Sequence, residues 1–314
     1  MTRMLPVAAA QLGPIPRCAS RRETVDRLIQ LLRQGHKYGR RLVVFPEAAL
    51  TSFFPHWYMD TQVEIDTYFE REMPSPETQP LFDEAKRLGV GFQLGYCELA
   101  VTGGRTRRFN TAILVDETGT IVAKYRKIHL PGHADYRPHQ PYQNLEKRYF
   151  EVGDLGFGTW RAFGGVMGLC ICNDRRWAET YRVMALKGAE LIMLGFNTPS
   201  QRLSGPHEPP HLPMFHSNLS VQAGAYQNAL WVVATAKAGT EEGVHQIGGS
   251  CIVAPTGEIV ASAISEDDEL VVADCDLDLG EYLRKTTFNF ALHRRIEHYG
   301  LIANRTGIEP PPAD

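Results

Sequence analysis

Long apolar runs are missing from this chain. No stretch approaches the ~18 uninterrupted apolar residues of a membrane-spanning helix. A strong net charge is missing too: 33 Lys+Arg against 36 Asp+Glu leaves −3. That is too little to imply nucleic acid or an anionic membrane as a partner. Cysteine is sparse, six in 314 residues, and the positions (Cys18, Cys97, Cys170, Cys172, Cys251 and Cys275) are too scattered for the disulfide framework of a small secreted domain. There is no CxxC pair, which argues against a thiol-redox protein. The one literal metal pattern, HEPPH at 207–211, needs a helix to bring both histidines to one face. Pro209 and Pro210 forbid that helix, and no other His or Cys spacing resembles a ligand set. The N-terminal MTRMLPVAAAQLG has an apolar run of about five residues, short of the roughly 7–15 of a secretory signal. The expected location is therefore cytoplasmic.

What is present is an ordinary globular composition, 43% hydrophobic and 22% charged, with strand-like and helix-like segments alternating over almost the whole length. LPVAAAQL, a helical pattern over Thr24–His36 and RLVVFPE make a strand–helix–strand opening. Further strands are predicted at VGFQLGYCEL, TAILVD, TIVAKY, GVMGLCIC, AELIMLGF, ALWVVATA, GSCIVAP, EIVASA and LVVADCDL. Further helices are predicted near Glu77–Leu88, Trp177–Lys187, Pro213–Gln227 and Leu277–Lys285. Unalternating runs such as LVVF and LIML suit strands covered on both faces. The pattern predicts an α/β or layered α-β-β-α protein. AILVDETGTIVA (112–123) echoes SCIVAPTGEIVA (250–261), which suggests two related sheets, although hairpins share such patterns in any case. Residues 1–304 are expected to form a single domain and 305–314, RTGIEPPPAD, a disordered tail. The long connections 126–158 and 196–213 are the expected functional loops.

Four side chains stand at suggestive places. Glu47 follows an apolar strand and a proline, where open α/β sheets carry active-site groups. Lys127 lies just past a strand in KYRKIHLPG, and Glu146 in the loop segment NLEKRYF. Each of these three, taken singly, reads equally as a solvated charge. In GVMGLCICNDRRW, alternation puts Cys170 and Cys172 on one face, with Cys170 a packing residue. Cys172 ends the strand, and NDRRWAETYRVMALKG reads as a helix. A thiol at such a turn meets backbone N–H groups that favour the thiolate and can hold an oxyanion, a logic like that of the nucleophile elbow.

FPE around Glu47, YRKIHLPG around Lys127 and CNDRRW around Cys172, in that order, resemble the three catalytic segments of the nitrilase (carbon–nitrogen hydrolase) superfamily. The resemblance runs from VAAAQLG to HYGLIA. It implies a four-layer α-β-β-α sandwich with a Glu47–Lys127–Cys172 triad, Glu146 orienting Lys127 and the attacking water, and no metal or organic cofactor. Nitrilases tend to have Trp-Glu after the cysteine. CNDRR, with FFP, RRFNTAILVD, LEKRYFE and CIVAPTGEIVA, is similar instead to N-carbamoyl-D-amino acid amidohydrolases. The implied reaction converts an N-carbamoyl-D-amino acid to the D-amino acid, ammonia and CO2. A β-ureidopropionase-like or aliphatic amidase on the same triad is the alternative, and a non-catalytic homologue is disfavoured by the intact triad.

The same resemblance places Asn173, Arg175, Arg176, Asn197, Thr198, His129 and Asn144 around the substrate. Arg175 is the preferred clamp for its carboxylate, with His129 a support beside the triad. Asn144 stands where these enzymes carry a histidine; it can hydrogen-bond but cannot become cationic. The only partners implied are the small-molecule substrate and a second or further copies of the chain, as a homodimer or homotetramer joined through the C-terminal segment.

Overall fold

The computed structural model describes residues 2–201, 208–209 and 211–311. Two six-stranded mixed sheets form its centre. In the first, β1 (Met4–Gln11), β2 (Leu42–Val44) and β3 (Gly91–Thr102) run parallel. They are flanked by antiparallel β4 (Arg105–Val115) and β5 (Ile121–Arg126) on one side and β14 (Glu269–Asp276) on the other. The second repeats the plan. Here β7 (Gly165–Ile171), β8 (Leu191–Phe196) and β9 (Trp231–Ala236) are parallel, between antiparallel β6 (Thr159–Ala162) and the pair β12 (Cys251–Val253) and β13 (Ile259–Ser262).

The echoed hairpins occupy equivalent places, and the likeness extends to their defects. The register slips between Leu114 and Val115 in one and between Ile252 and Val253 in the other. In the turns, Asp116 N donates to Thr120 O and Ala254 N to Glu258 O. Gly119 and Gly257 take φ of 80° and 87°, which a side chain would resist.

Strand alternation explains the layers. Leu5, Val7 and Ala9 of β1, with Leu42 and Val44 of β2, join the core between the sheets. Ala8, Ala10 and Val43 join a second core beneath α1 (Arg21–Lys37) and α3 (Gln79–Leu88). A strand buried on both faces has no reason to alternate in polarity, hence the continuous apolar runs. Tyr181 and Met184 of α5 (Ala178–Leu186) and Val221 and Ala225 of α6 (Leu212–Asn228) close the other side. The result is the four-layer α-β-β-α sandwich. Helix α1 starts earlier than its apolar period suggests because Ser20 and Glu23 form a capping box.

Several elements differ from expectation. The helix after Cys172 is interrupted: Cys172–Arg176 is a 3-10 turn, and α5 begins at Ala178. The helix expected at 277–285 shrinks to α7 (Glu281–Lys285), because Leu277 N still pairs with Arg3 O at 3.0 Å as a continuation of the sheet edge. The short strands β6, β10 (Ala238–Glu241) and β11 (Val244–Ile247) and the helices α2 (Gln62–Asp66) and α4 (Glu146–Tyr149) carry too few apolar positions to announce themselves. In HEPPH, His207 and Pro210 lie outside the described residues, as do the last three of the tail; residues 305–311 are exposed and form no helix or strand. Among the described residues no helix is long and apolar enough to cross a membrane.

Candidate active site

Glu47 lies three residues beyond β2, where its backbone passes between the two sheets. A Cβ on Gly95 of β3 would lie 2.4 Å from Pro46 O, and one on Gly195 of β8 would lie 2.5 Å from Glu47 N. Two glycines, one from each sheet, thus make room for one glutamate. Its carboxylate is fully buried and accepts four hydrogen bonds. Lys127 Nζ and Asn110 Nδ2 reach Oε1 at 2.7 Å each; Asn197 N and Nδ2 reach Oε2 at 3.0 Å each. Lys127 continues β5, its N donating to Asn110 O at 2.8 Å, so Asn110 fixes the acid with its side chain and the lysine with its backbone. Glu146 opens α4, and its Oε2 accepts from Lys127 Nζ at 2.5 Å.

Cys172 directly follows β7 at φ 47°, a left-handed conformation that a side chain adopts at a cost of about 1–2 kcal/mol. The turn aims a buried thiol at Asn197 O, 3.2 Å from Sγ. Carboxylate oxygens of Glu47 and Glu146 and the Cys172 sulfur all lie within 4.8 Å of one another. The three donors could in principle chelate an ion, but the Lys127 ammonium already bridges the two carboxylates. A cation there would meet a like charge at contact distance.

The electrostatics separate the roles. Burial pushes the Glu47 carboxyl up, but the Lys127 ammonium and the hydrogen bonds from Lys127, Asn197 and Asn110 overcome it and hold the group below the usual carboxylate range. Burial pulls Lys127 down, yet Cys172, Glu146 and Glu47 keep it above the ordinary lysine value. Burial raises Glu146 to about 7, with Lys127 opposing and Glu47 adding to the rise. Burial and the Glu47 charge also push the Cys172 thiol up, against Lys127 and Arg175. The resting pair is therefore a carboxylate beside a neutral thiol. The thiolate expected from a helix start is not favoured, because the helix begins six residues later and the sulfur is buried beside an anion.

A cavity of about 410 Å3 opens onto this cluster, with Glu146, Cys172, Asn173, Asn197, Thr198, Asn144 and Arg176 in its walls. Two expected residues stand elsewhere. Arg175, the expected clamp, is buried behind the cavity. Its guanidinium donates to Cys172 O at 2.7 Å and Thr198 Oγ1 at 2.8 Å and packs 4.4 Å over Phe196. It holds the Cys172 backbone, and the exposed neighbour Arg176 faces the cavity instead. His129 also lies outside the wall. Its ring stacks on Trp177 at 5.0 Å, and Nδ1 lies 2.8 Å from Asp174 Oδ1.

Asp174 was not anticipated. Fully buried, it accepts from Tyr125 Oη at 2.8 Å, Ile171 N at 3.0 Å and His129 N at 3.0 Å, besides the His129 ring. It ties the Lys127 segment to the turn that carries Cys172. The signal was an aspartate two residues into a turn, where such side chains bond local backbone N–H groups. Phe53, His56, His133 and Arg137 also line the cavity and carried no such signal.

A model of the carbon-nitrogen hydrolase family matches residues 6–285. The N-carbamoylputrescine amidase of Solanum lycopersicum is 30% identical over 287 residues, covering 88% of this chain and 87% of its own. The citrullinase of Francisella tularensis is 27% identical, with 90% of each covered. The crystal structure of a carbon-nitrogen hydrolase from Helicobacter pylori G27 superposes with a TM-score of 0.81 at 26% identity, over 97% of this chain and 99% of that one. With the family model matching most of its length, this chain belongs to the carbon-nitrogen hydrolase family.

Proposed function

We propose that the protein hydrolyses N-carbamoyl amino acids that carry a free carboxylate, releasing the amino acid, ammonia and CO2. The supporting observation is the charge of the cavity. Arg176 and Arg137 line it, and among the described residues its one acidic wall residue, Glu146, is committed to Lys127. A carboxylate is welcome there, and a guanidinium fork can take it in two contacts. The compound named for the tomato relative bears the same carbamoyl group but ends in an amine, which would meet two guanidinium groups. Preference for the D enantiomer rests on the sequence resemblance.

In this reading Glu47 takes the thiol proton as Cys172 Sγ attacks the ureido carbon. Lys127 has spent two of its three N–H donors on the carboxylates. The third, with a backbone N–H at Asn173, holds the developing oxyanion, an effect of about 3–4 kcal/mol per well-placed donor. Glu47 returns the proton to the departing ammonia, leaving the carbamoyl carbon on sulfur. Water deprotonated by Glu47 and oriented by Glu146 then cleaves the C–S bond and restores the thiol. The released carbamic acid loses CO2. Asn173, Asn197, Thr198 and Asn144 hold the substrate's polar groups.

The test is ammonia release from N-carbamoyl-D- and N-carbamoyl-L-phenylalanine, phenylacetamide and N-carbamoylputrescine, by wild type and Cys172→Ala. Turnover of the D compound alone, abolished in the variant, is the expected result. Preference for phenylacetamide or N-carbamoylputrescine would overturn the carboxylate assignment, and equal rates on both enantiomers would overturn the stereochemical one.

A further inference from the structure

The reaction outlined above leaves a buried charge pair unused. Lys237 follows β9, at the carboxyl end of a central parallel strand, and is fully buried. Its Nζ lies 3.1 Å from Oε1 of the equally buried Glu241 and donates to Thr51 O. Glu241 in turn accepts from Phe53 N at 2.8 Å through Oε2 and from Ile15 N at 3.1 Å through Oε1. The pair therefore holds both ends of the segment 51–53, from which the cavity wall of Phe53 and His56 follows.

Taking both ions out of water costs several kcal/mol each, so such a pair is a weak stabiliser of a fold. Its geometry matters more. His56 is 1% exposed, with its ring 4.9 Å from Phe53 and 5.1 Å from Tyr142, edge-on to both. Its Nδ1 finds no hydrogen-bond partner among the described residues. Burial first, and then the charge of Lys237, push its pKa down to about 3, so the imidazole is neutral and offers one donor and one acceptor. A buried polar group in a cavity wall with nothing to bond costs stability unless a ligand supplies the partner.

We propose that His56 hydrogen-bonds the amino-acid portion of the substrate, and that the Lys237–Glu241 pair is the positioning device that sets the 51–56 wall for it. This rests on the cavity being a carbamoyl amino acid site.

Steady-state kinetics on the carbamoyl amino acid that the wild type turns over provide the test. His56→Phe should raise KM at least about tenfold, the worth of one hydrogen bond to a buried group, while kcat falls less than about threefold. His56→Gln, which keeps a donor and an acceptor, should recover part of the loss. Glu241→Gln keeps an acceptor for Phe53 N without the charge and should shift KM in the same direction as His56→Phe. Lys237→Met should shift KM in that direction too, and where it does not fold the other three variants carry the test. A KM for His56→Phe within about twofold of wild type, or a Glu241→Gln effect on kcat alone, overturns the proposal. A wild type that hydrolyses no N-carbamoyl amino acid overturns the underlying reading, and this inference with it.

Discussion

Replacing Asp174 by alanine removes one carboxylate and strands the groups it holds. The donors are Tyr125 Oη, Ile171 N, His129 N and the His129 ring, at 2.8 to 3.0 Å. The Tyr125 hydroxyl can re-aim, whereas the other three donors are fixed by backbone and stacking. A stranded buried donor costs about 1–3 kcal/mol. Relief from burying the charge offsets part of that sum, leaving about 3–5 kcal/mol, in the range for a broken buried network. At roughly 1.5 °C per kcal/mol for a chain of 314 residues, melting should fall by roughly 5–8 °C.

Activity should suffer more than stability alone requires, because Ile171 immediately precedes Cys172, the proposed nucleophile. A loosened turn displaces Sγ, and a displacement near 1 Å costs about 100-fold in kcat/KM. Asp174→Asn keeps one oxygen for His129 and turns an amide N–H toward Ile171 N, so it should lose only about 1–3 kcal/mol. Thermal melts and kcat/KM on folded protein at 25 °C give both readings. An Asp174→Ala variant that melts within about 2 °C of wild type, with kcat/KM within about threefold, would refute the claim that this carboxylate joins the two segments.

Gly195→Ala places a Cβ 2.5 Å from Glu47 N and 2.6 Å from Pro46 C. Both are backbone atoms that cannot step aside, so stability should drop by about 1–3 kcal/mol and kcat/KM by about 100-fold, read by melting and initial rates. Glu146, raised to about 7 by burial, should give wild-type kcat/KM a limb that rises with pH near 7 as the carboxylate forms and grips Lys127. Glu146→Gln should lack that limb, and a limb persisting in the variant would assign it to another group. The same shift has a sign for stability. The folded state keeps a proton that the unfolded chain releases above 4.5, so wild type should lose stability as pH rises from 4.5 to about 7; urea titrations of Glu146→Gln should be flatter across that window. Arg176→Ala should raise KM for a carbamoyl amino acid by about 10–100-fold and leave a carboxylate-free amide unaffected, which parallel kinetics on the two substrates would check.

Much of the architecture was legible because it depends on local pattern. Unalternating apolar runs announced strands buried on both faces, and the repeated hairpin marked the two sheets that share one plan. FPE, YRKIHLPG and CNDRRW identified the glutamate, lysine and cysteine that the fold gathers around one cavity. The residues that join those segments carry no pattern of their own. Asn110 and Lys237 are single polar letters in or beside apolar strands, and only the pairing of distant segments gives them partners.

The two arginines show the limit most plainly. Arg175 and Arg176 are adjacent and chemically identical, and a sequence cannot say which one faces the substrate. That choice is made by the turn after Cys172. It is a 3-10 turn rather than an α-helix, so successive side chains diverge by about 120°. One guanidinium is driven under Cys172 to hold its carbonyl, and the other lines the cavity. Residue types in order determined the family and pointed to the proposed reacting groups. The tertiary structure alone decided which charges are buried and which line the cavity, because burial and position belong to neighbours that the chain brings together only when folded.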